Sequence, residues 1–388
     1  MHLRSLFIVF LLSFACGQDR QIISSLNPGC ENCDVTLVYI KAVGSHDTVH
    51  QLWDFSRGMP TIIYLITKLN STVEVTWDGK EPSQFKIPDR PVYSFAATID
   101  KLQEYNDINS TGQIDNKCPQ RPVPLRDVVW KRGDTVLTGD EVMVHMRGYF
   151  PDTRQKGTVD MKLDLLPYKD YAVELPHLIH TANSTLIDVS LVNLTTSRDY
   201  NASRFAIHLT LVSTDAWSDA MKYTMRKSLD DEHTPGVFEI FEIKTPRSVS
   251  SDDGGYVQFR PVSYTEPERS VSSSTNAYIS NFTSTHLPKS STLRIFYRDF
   301  NRDNLLVQDT FISFGLPGDG NYKQHNYTSW SFSIGYGVPP VEKFSLFVII
   351  IISIGLGVPV LLALSGITYV LARRCKQRNP PTRFTDDE

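Results

Sequence analysis

Along most of the chain, apolar side chains recur at alternate positions in short runs, and Gly, Pro, Asn or Asp usually stand between the runs. Such runs cover 37–43, 73–77, 93–99, 142–150, 159–165, 187–191, 205–212, 237–243, 256–264, 293–300 and 305–314. Period two, with many β-branched and aromatic residues, predicts strands. The clearest alternation is at 204–213, where Phe205, Ile207, Leu209 and Leu211 share one face and Ala206, His208 and Thr210 the other. Before residue 344 the best helix candidate, 218–229, is short and mixed. Residues 265–292, rich in Ser, Thr and Pro, predict a long loop or a partly disordered excursion. The expected fold is an all-β, sandwich-like ectodomain of two packed domains, 18–168 and 169–343. The divide is placed where YKDYAVELP breaks the alternation, between Pro167 and Pro176, and one larger sandwich or β-prism is the alternative.

Two apolar segments stand apart. Residues 1–17 combine a short basic start, the run from Leu6 to Leu12, and small residues Ala15 and Gly17, which predicts a signal peptide and a mature chain from Gln18. Residues 344–372 carry no charge. At 1.5 Å per residue that length exceeds the roughly 30 Å of a bilayer's hydrocarbon, so a tilted or kinked spanning helix is expected, with Pro359 as the kink. Arg373, Arg374, Lys376 and Arg378 follow at once and predict a cytoplasmic tail, 373–388, hence a type I topology with the N-terminal domain lumenal. Ser353, Gly355 and Gly357, with Gly366 lower down, offer places where a second helix can approach closely. Cys375, beside the membrane, is a palmitoylation candidate.

Seven Asn-x-Ser/Thr sequons, at Asn70, Asn109, Asn183, Asn193, Asn201, Asn281 and Asn326, all precede the span and predict a densely glycosylated ectodomain. Composition narrows the function. The whole chain holds 39 Lys plus Arg against 43 Asp plus Glu, net −4, and residues 18–372 carry 33 basic against 40 acidic residues, net −7. No basic field exists to hold a nucleic-acid backbone. Three cysteines face the oxidising side, Cys30, Cys33 and Cys118, and the expectation is one bridge from Cys118 to Cys30 or Cys33 with one thiol left over. The Cys30–Cys33 spacing matches a redox motif, but no βαβ pattern surrounds it.

Candidate chemistry is thin. There is no Gly-x-Ser-x-Gly elbow, phosphate loop, dinucleotide fingerprint or His-Glu-x-x-His. His46 and His50, four apart, are expected on exposed strand or loop, not on a metal. Asp230-Asp231-Glu232-His233 is the densest acidic spot and is expected to be a turn or cap. No catalytic residue, metal or cofactor is expected.

Ile40-Lys41-Ala42-Val43-Gly44-Ser45 with His50 and Trp53, then His180-Thr181-Ala182, Asp230-Asp231-Glu232 with Pro235 and Phe238, Gln258 with Arg260-Pro261-Val262, and Trp330-Ser331 occur in that order. Gly335, Gly337 and Pro339-Pro340-Val341 then lead into Phe344-Ser345. In this the chain resembles the glycosylated lysosomal membrane protein family, from about residue 37 to 345. The resemblance implies a lysosomal type I protein without enzymatic activity. It would be an accessory subunit that stabilises a dipeptide-exporting major-facilitator transporter in the same membrane and shields it from proteases. The segment from Gly335 through Gly337, Pro339 and Pro340 is the expected lumenal contact with that partner, and Ser353, Gly355 and Gly357 the expected contact in the membrane. Two departures stand out: the tail has neither the tyrosine signal of vertebrate members nor a dileucine, and no cysteine lies between Cys118 and Cys375. The alternative is a cell-surface adhesion or carbohydrate-binding receptor.

Overall fold

The computed structural model describes residues 20–378 apart from 116, 169, 216–219, 229–233, 301–304 and 342–345. The expected signal peptide and the segment Asp230-Asp231-Glu232 lie outside the described residues. Residues through Pro340 form one compact unit and Val341 onward another.

The first unit is built from two antiparallel sheets. One orders its strands Gln21–Leu26, Leu37–Val43, Asp47–Asp54, Thr61–Lys68, Tyr93–Asn106, Ser203–Ser213 and Leu306–Phe314. The other runs Val129–Leu137, Val142–Tyr149, Thr158–Leu165, Ser184–Val192, Tyr327–Tyr336, Gly255–Phe259, Glu239–Lys244 and Lys222–Lys227. Ser274–Ile279 joins them, pairing with Val262–Tyr264 on one side and Leu306–Phe314 on the other. Strands from both sides of residue 168 are neighbours in the first sheet, so the break at 168–176 is a loop inside one sandwich and not a boundary between two. The segment 265–292, expected as a loop, carries the joining strand.

The first sheet is buried on both faces. Val38, Ile40, Ile62, Tyr64 and Ile66 point into the larger core against the second sheet. Their neighbours Leu37, Tyr39, Leu52, Ile63 and Leu65 pack beneath the hairpin Glu74–Asp78/Glu81–Lys86 and the helix Thr292–Phe296. A strand covered on both sides has no polar face to alternate, and so Thr61–Lys68 reads TIIYLITK and escapes a period-two search. The expected strand at 293–300 is helical instead: Thr292–Phe296 followed by a 3-10 turn, Tyr297–Asp299. Leu293, Phe296, Tyr297 and Phe300 fall at i, i+3, i+4 and i+7, a helical period, and Phe296 and Tyr297 stack edge to face with ring centroids 5.0 Å apart. Conversely, the short, mixed stretch 218–229, the best helix candidate before the span, contains the strand Lys222–Lys227.

His50 was expected at the surface and is fully buried. The Val73 N–H donates to the Tyr39 hydroxyl (3.2 Å), which lies 2.8 Å from His50 Nδ1, while Nε2 lies 2.8 Å from the Thr67 hydroxyl. Thr67 in turn donates to the Lys68 carbonyl (3.0 Å). These directions make Tyr39 the donor to Nδ1 and place the single ring proton on Nε2. Burial, aided by Lys41, holds the imidazole down at about 4.

With the unfolded value near 6.5, the unfolded chain takes up a proton first as pH falls. The His50 contribution to stability is therefore present above about 6.5 and is lost on the way down to about 4. The expected loss from this group between about pH 7 and pH 5 is roughly 2 kcal/mol. Urea unfolding of the full chain at both pH values, beside His50→Gln, checks it: the variant should lose less on acidification, and an equal loss would remove His50 as the cause.

Candidate functional site

The geometry relevant to function is set by the last strand before the membrane. Tyr327–Tyr336 lies inside its sheet, paired with Ser184–Val192 along one edge and with Gly255–Phe259 along the other. Trp330, from its middle, stacks on Phe332 with centroids 4.4 Å apart and meets Phe259 edge-on at 5.3 Å. The strand enters after Asn326 and leaves toward Pro339-Pro340. At about 3.3 Å per residue its two ends lie roughly 30 Å apart.

At the leaving end the chain is tied to its neighbours. The Gly337 N–H donates to the Gly254 carbonyl (2.9 Å), and Gln258 Nε2 donates to the Pro340 carbonyl (3.0 Å) and to Glu242 (3.2 Å). A Cβ on Gly335 would lie 2.6 Å from the Tyr256 hydroxyl, so glycine is required there for packing, and Gly337 takes a left-handed φ of +96°. Gly335, Pro339 and Pro340 are buried in this chain. Of the segment expected to meet a partner, Val338 is the residue that faces outward, 65% exposed.

The entering end gathers four sequons. The Asn193 N–H donates to the Asn326 carbonyl (2.8 Å), and the Asp107 N–H, two residues before Asn109, donates to Ala202, next to Asn201 (2.8 Å). These loops are braced by buried Arg204, which pairs with Asp107 at 2.8 Å and Asp319 at 2.6 Å. Burial opposes its charge, but the two carboxylates hold the guanidinium above its ordinary value. Asp107 also accepts from the Gly112 N–H (2.8 Å) and Asp319 from the Leu316 N–H (2.7 Å), so neither carboxylate is left short of partners.

Asn109, Asn193, Asn201 and Asn326 are exposed, as are Asn70 and Asn281 elsewhere. Asn70, Asn193 and Asn326 adopt left-handed φ values of 64°, 52° and 54°, a conformation asparagine tolerates better than most residues, so they also serve their turns. Asn183 differs. It is half-buried at the other end, where its Oδ1 accepts from Arg20 Nε, and Arg20 also pairs with Asp47 at 2.7 Å.

The cysteine expectation is corrected. Cys30 and Cys33 bridge each other across a tight loop, with Cα atoms 5.8 Å apart, and Cys118 is free. Cys30 and Cys33 sit between the first two strands, whereas Cys118 follows Tyr93–Asn106, three places farther along the sheet. At about 4.8 Å per strand that is roughly 14 Å, beyond disulfide reach.

In the second unit the helix Leu346–Arg378 contains the expected span, with an apolar stretch over Leu346–Cys375. At 100° per residue, Ser353 and Gly357 share one face, while Gly355 and Gly366 share the other. Gly355, Gly357 and Gly366 would each accept a Cβ without meeting another atom, and Cys375 is exposed.

Sequence reasoning missed the setting of His208. Its ring is held between Asp100 and Asp309, the latter 3.3 Å from Nε2, on the wall of a cavity of about 790 Å³. Both ring nitrogens face carboxylates, which fix the ring in place. The three residues are distant in sequence and carry no local signal. Among the described residues no group of three or more His, Cys, Asp or Glu is placed to hold a metal.

The sequence profile of the family described as "Glycosylated lysosomal membrane protein" matches residues 36–377. Similar proteins include Glycosylated lysosomal membrane protein A of Xenopus laevis, 27% identical over 95% of this chain and 96% of that one. The Glycosylated lysosomal membrane protein of Mus musculus is 28% identical over 92% of this chain and 88% of its own. That of Homo sapiens is 25% identical over 85% and 82% respectively.

Two outcomes are expected. Changing each sequon Asn to Gln in the expressed full chain should raise electrophoretic mobility by one glycan step at the six exposed positions and leave it unchanged for Asn183→Gln; a full step there would mean that Arg20 does not guard it. Arg204→Met, which leaves Asp107 and Asp319 buried without their cation, should cost on the order of 3–5 kcal/mol in urea unfolding.

Proposed function

The chain belongs to the glycosylated lysosomal membrane protein family, a lysosomal membrane glycoprotein, and from that premise we propose that it is a non-enzymatic accessory subunit of a transporter. The partner is a multi-span major-facilitator protein that exports dipeptides, and this chain stabilises it and shields its lumenal loops from proteolysis. The orientation is type I, with the sandwich in the lumen.

The observation that carries this reading is the polarity of the sandwich. Four exposed sequons crowd the end where the last strand enters, roughly 30 Å from the end where the chain departs for its span. At the departing end Asn183 is engaged by Arg20 and Val338 is exposed. Glycans at the entering end would hinder proteases, while at the departing end Asn70, whose N–H donates to Thr48 beside Asp47 (3.1 Å), is the exposed sequon, so that end carries a thinner coat and leaves more surface for a partner. The spanning helix supports the same reading, since Ser353 and Gly357 let another helix approach closely where association depends on van der Waals contact. The tail without a tyrosine or dileucine signal favours the second reading, a cell-surface adhesion or carbohydrate-binding receptor.

Quantitative mass spectrometry of proteins co-purifying with the tagged full chain from gently solubilised membranes tests it. One multi-span transporter should dominate, and its lifetime should shorten when this chain is removed. If no membrane protein rises above background while the chain retains saturable binding on a glycan array, the receptor reading takes its place. Ser353→Leu with Gly357→Leu should lower transporter recovery about tenfold, while Gly355→Leu with Gly366→Leu on the opposite face should not. Equal recovery from both pairs would move the contact out of the membrane.

A further inference from the structure

On the outer face of the second sheet, the loop between Thr158–Leu165 and Ser184–Val192 folds back over its own strands. Tyr171 and Ile179 form a β-bridge across it, the Ala172 N–H donates to Leu178 (2.7 Å) and the His180 N–H to Asp170 (2.6 Å). Arg269 fastens the flap: it pairs with Asp188 on the sheet and donates through Nη1 to the Leu175 carbonyl of the loop (2.6 Å) and to Ser331 (3.0 Å). Beneath the flap is a cavity of about 230 Å³ lined by Glu141, Lys162, Asp164, Glu174 and His180, and a groove of about 600 Å³ shares Lys162, Glu174 and Arg269 with it.

Position in the sheet explains why this place is unusual. Asp164 stands opposite Leu186 on a face that would ordinarily be wet, and the flap leaves it 8% exposed. Among the described residues its Oδ1 has no hydrogen-bond partner, and its other oxygen has Lys162 at a loose 3.6 Å. His180, 6% exposed, lines the same cavity, and among the described residues only its backbone N–H is hydrogen-bonded. Burial pushes the Asp164 carboxyl up and the His180 imidazole down, as expected of polar groups in a place that lacks compensating donors. A buried acceptor with an empty lone pair is uncommon in folded chains and marks a place where a donor belongs. The neighbouring charges define that donor. Arg269 is engaged by Asp188, which among the described lining residues leaves Glu141, Asp164 and Glu174 against Lys162, so an incoming cation is favoured over an anion.

We propose that this cavity is a binding site for a primary ammonium or guanidinium group, which donates to Asp164 Oδ1, with Glu141 and Glu174 balancing its charge. The group could come from a free small amine or from a lysine or arginine side chain of a partner protein, and the two sources share the same chemistry here. The cavity lining shares no residue with the proposed transporter contact, and the site stands or falls independently of it.

The test is calorimetric titration of the purified full chain in detergent with butylamine, butylguanidine, and 1-butanol as the uncharged match, beside N-acetyl-lysine methylamide as the side-chain mimic. Saturable binding of the cations and none of butanol is expected, weakened at least tenfold by the near-isosteric Asp164→Asn and left unchanged by Asp127→Asn, an exposed carboxylate paired with Arg126 that does not line the cavity. Binding of the free amines but not of the blocked lysine assigns a small-molecule ligand, and binding of both assigns a basic side chain. If no cation binds, or butanol binds equally, the cavity holds only water and the proposal is overturned. Because Asp164→Asn could disturb the flap, Glu174→Gln provides a second variant with the same expected weakening, and a full-affinity response in both overturns the site.

Discussion

The placement of the last ectodomain strand inside its sheet, not at an edge, governs the rest of this molecule. Tyr327–Tyr336 is laddered along nine residues to Ser184–Val192 and along four to Gly255–Phe259, and its Trp330 sits among Phe259, Phe314 and Phe332 in the core. The chain thus leaves for the membrane from an element anchored along both edges. That position also puts Asn326 and its companion sequons at one end and Pro339-Pro340 at the other. A strand added at the edge could have frayed and carried the exit point with it.

Buried polar groups link the two sheets at several points. The Tyr64 hydroxyl donates to the Ile334 carbonyl at 2.8 Å, and Thr185, 2.9 Å from it, bonds to Gln51, which also accepts from the Trp53 indole at 3.2 Å. Near the exit, the Tyr93 hydroxyl accepts from the Gly255 N–H at 2.9 Å and contacts Ser213 at 2.9 Å and Thr245 at 3.0 Å. Directional bonds of this kind fix the relative position of faces that hydrophobic packing alone would let slide.

The ionisable groups inside the sandwich fall into three chemical situations, which separates structure from function. Arg204 is fully compensated by Asp107 and Asp319 and braces loops. His50 is kept neutral by burial, with Tyr39 and Thr67 engaging its two nitrogens, so it fills the space beneath the hairpin without a charge. Asp164 and Asp215 each keep an oxygen without a partner among the described residues, and of the two it is Asp164 that lines a cavity. Only such a shortfall leaves interaction energy available to something outside the chain.

What the sequence by itself determined is what local pattern can carry. Alternation marked strands such as Ser203–Ser213, an uncharged run marked the span, and the three-residue sequons marked where glycans can attach. The colinear residues from Ile40 to Phe344 identified the family before any coordinate was known. Strands covered on both faces, such as Thr61–Lys68, were hidden because burial erased their polar positions, and 293–300 read as a strand although its apolar spacing suits a helix. Only the tertiary structure decided that Cys30 joins Cys33 across its own loop, that Asn183 is engaged by Arg20, that Pro339 and Pro340 are buried, and that Asp164 and His180 share a cavity. The cysteine pairing is local in sequence but is chosen by where the strands place Cys118; each of the others is a distance between residues separated in the chain, or a burial created by a distant segment, and such quantities exist only once the sheets have closed on one another.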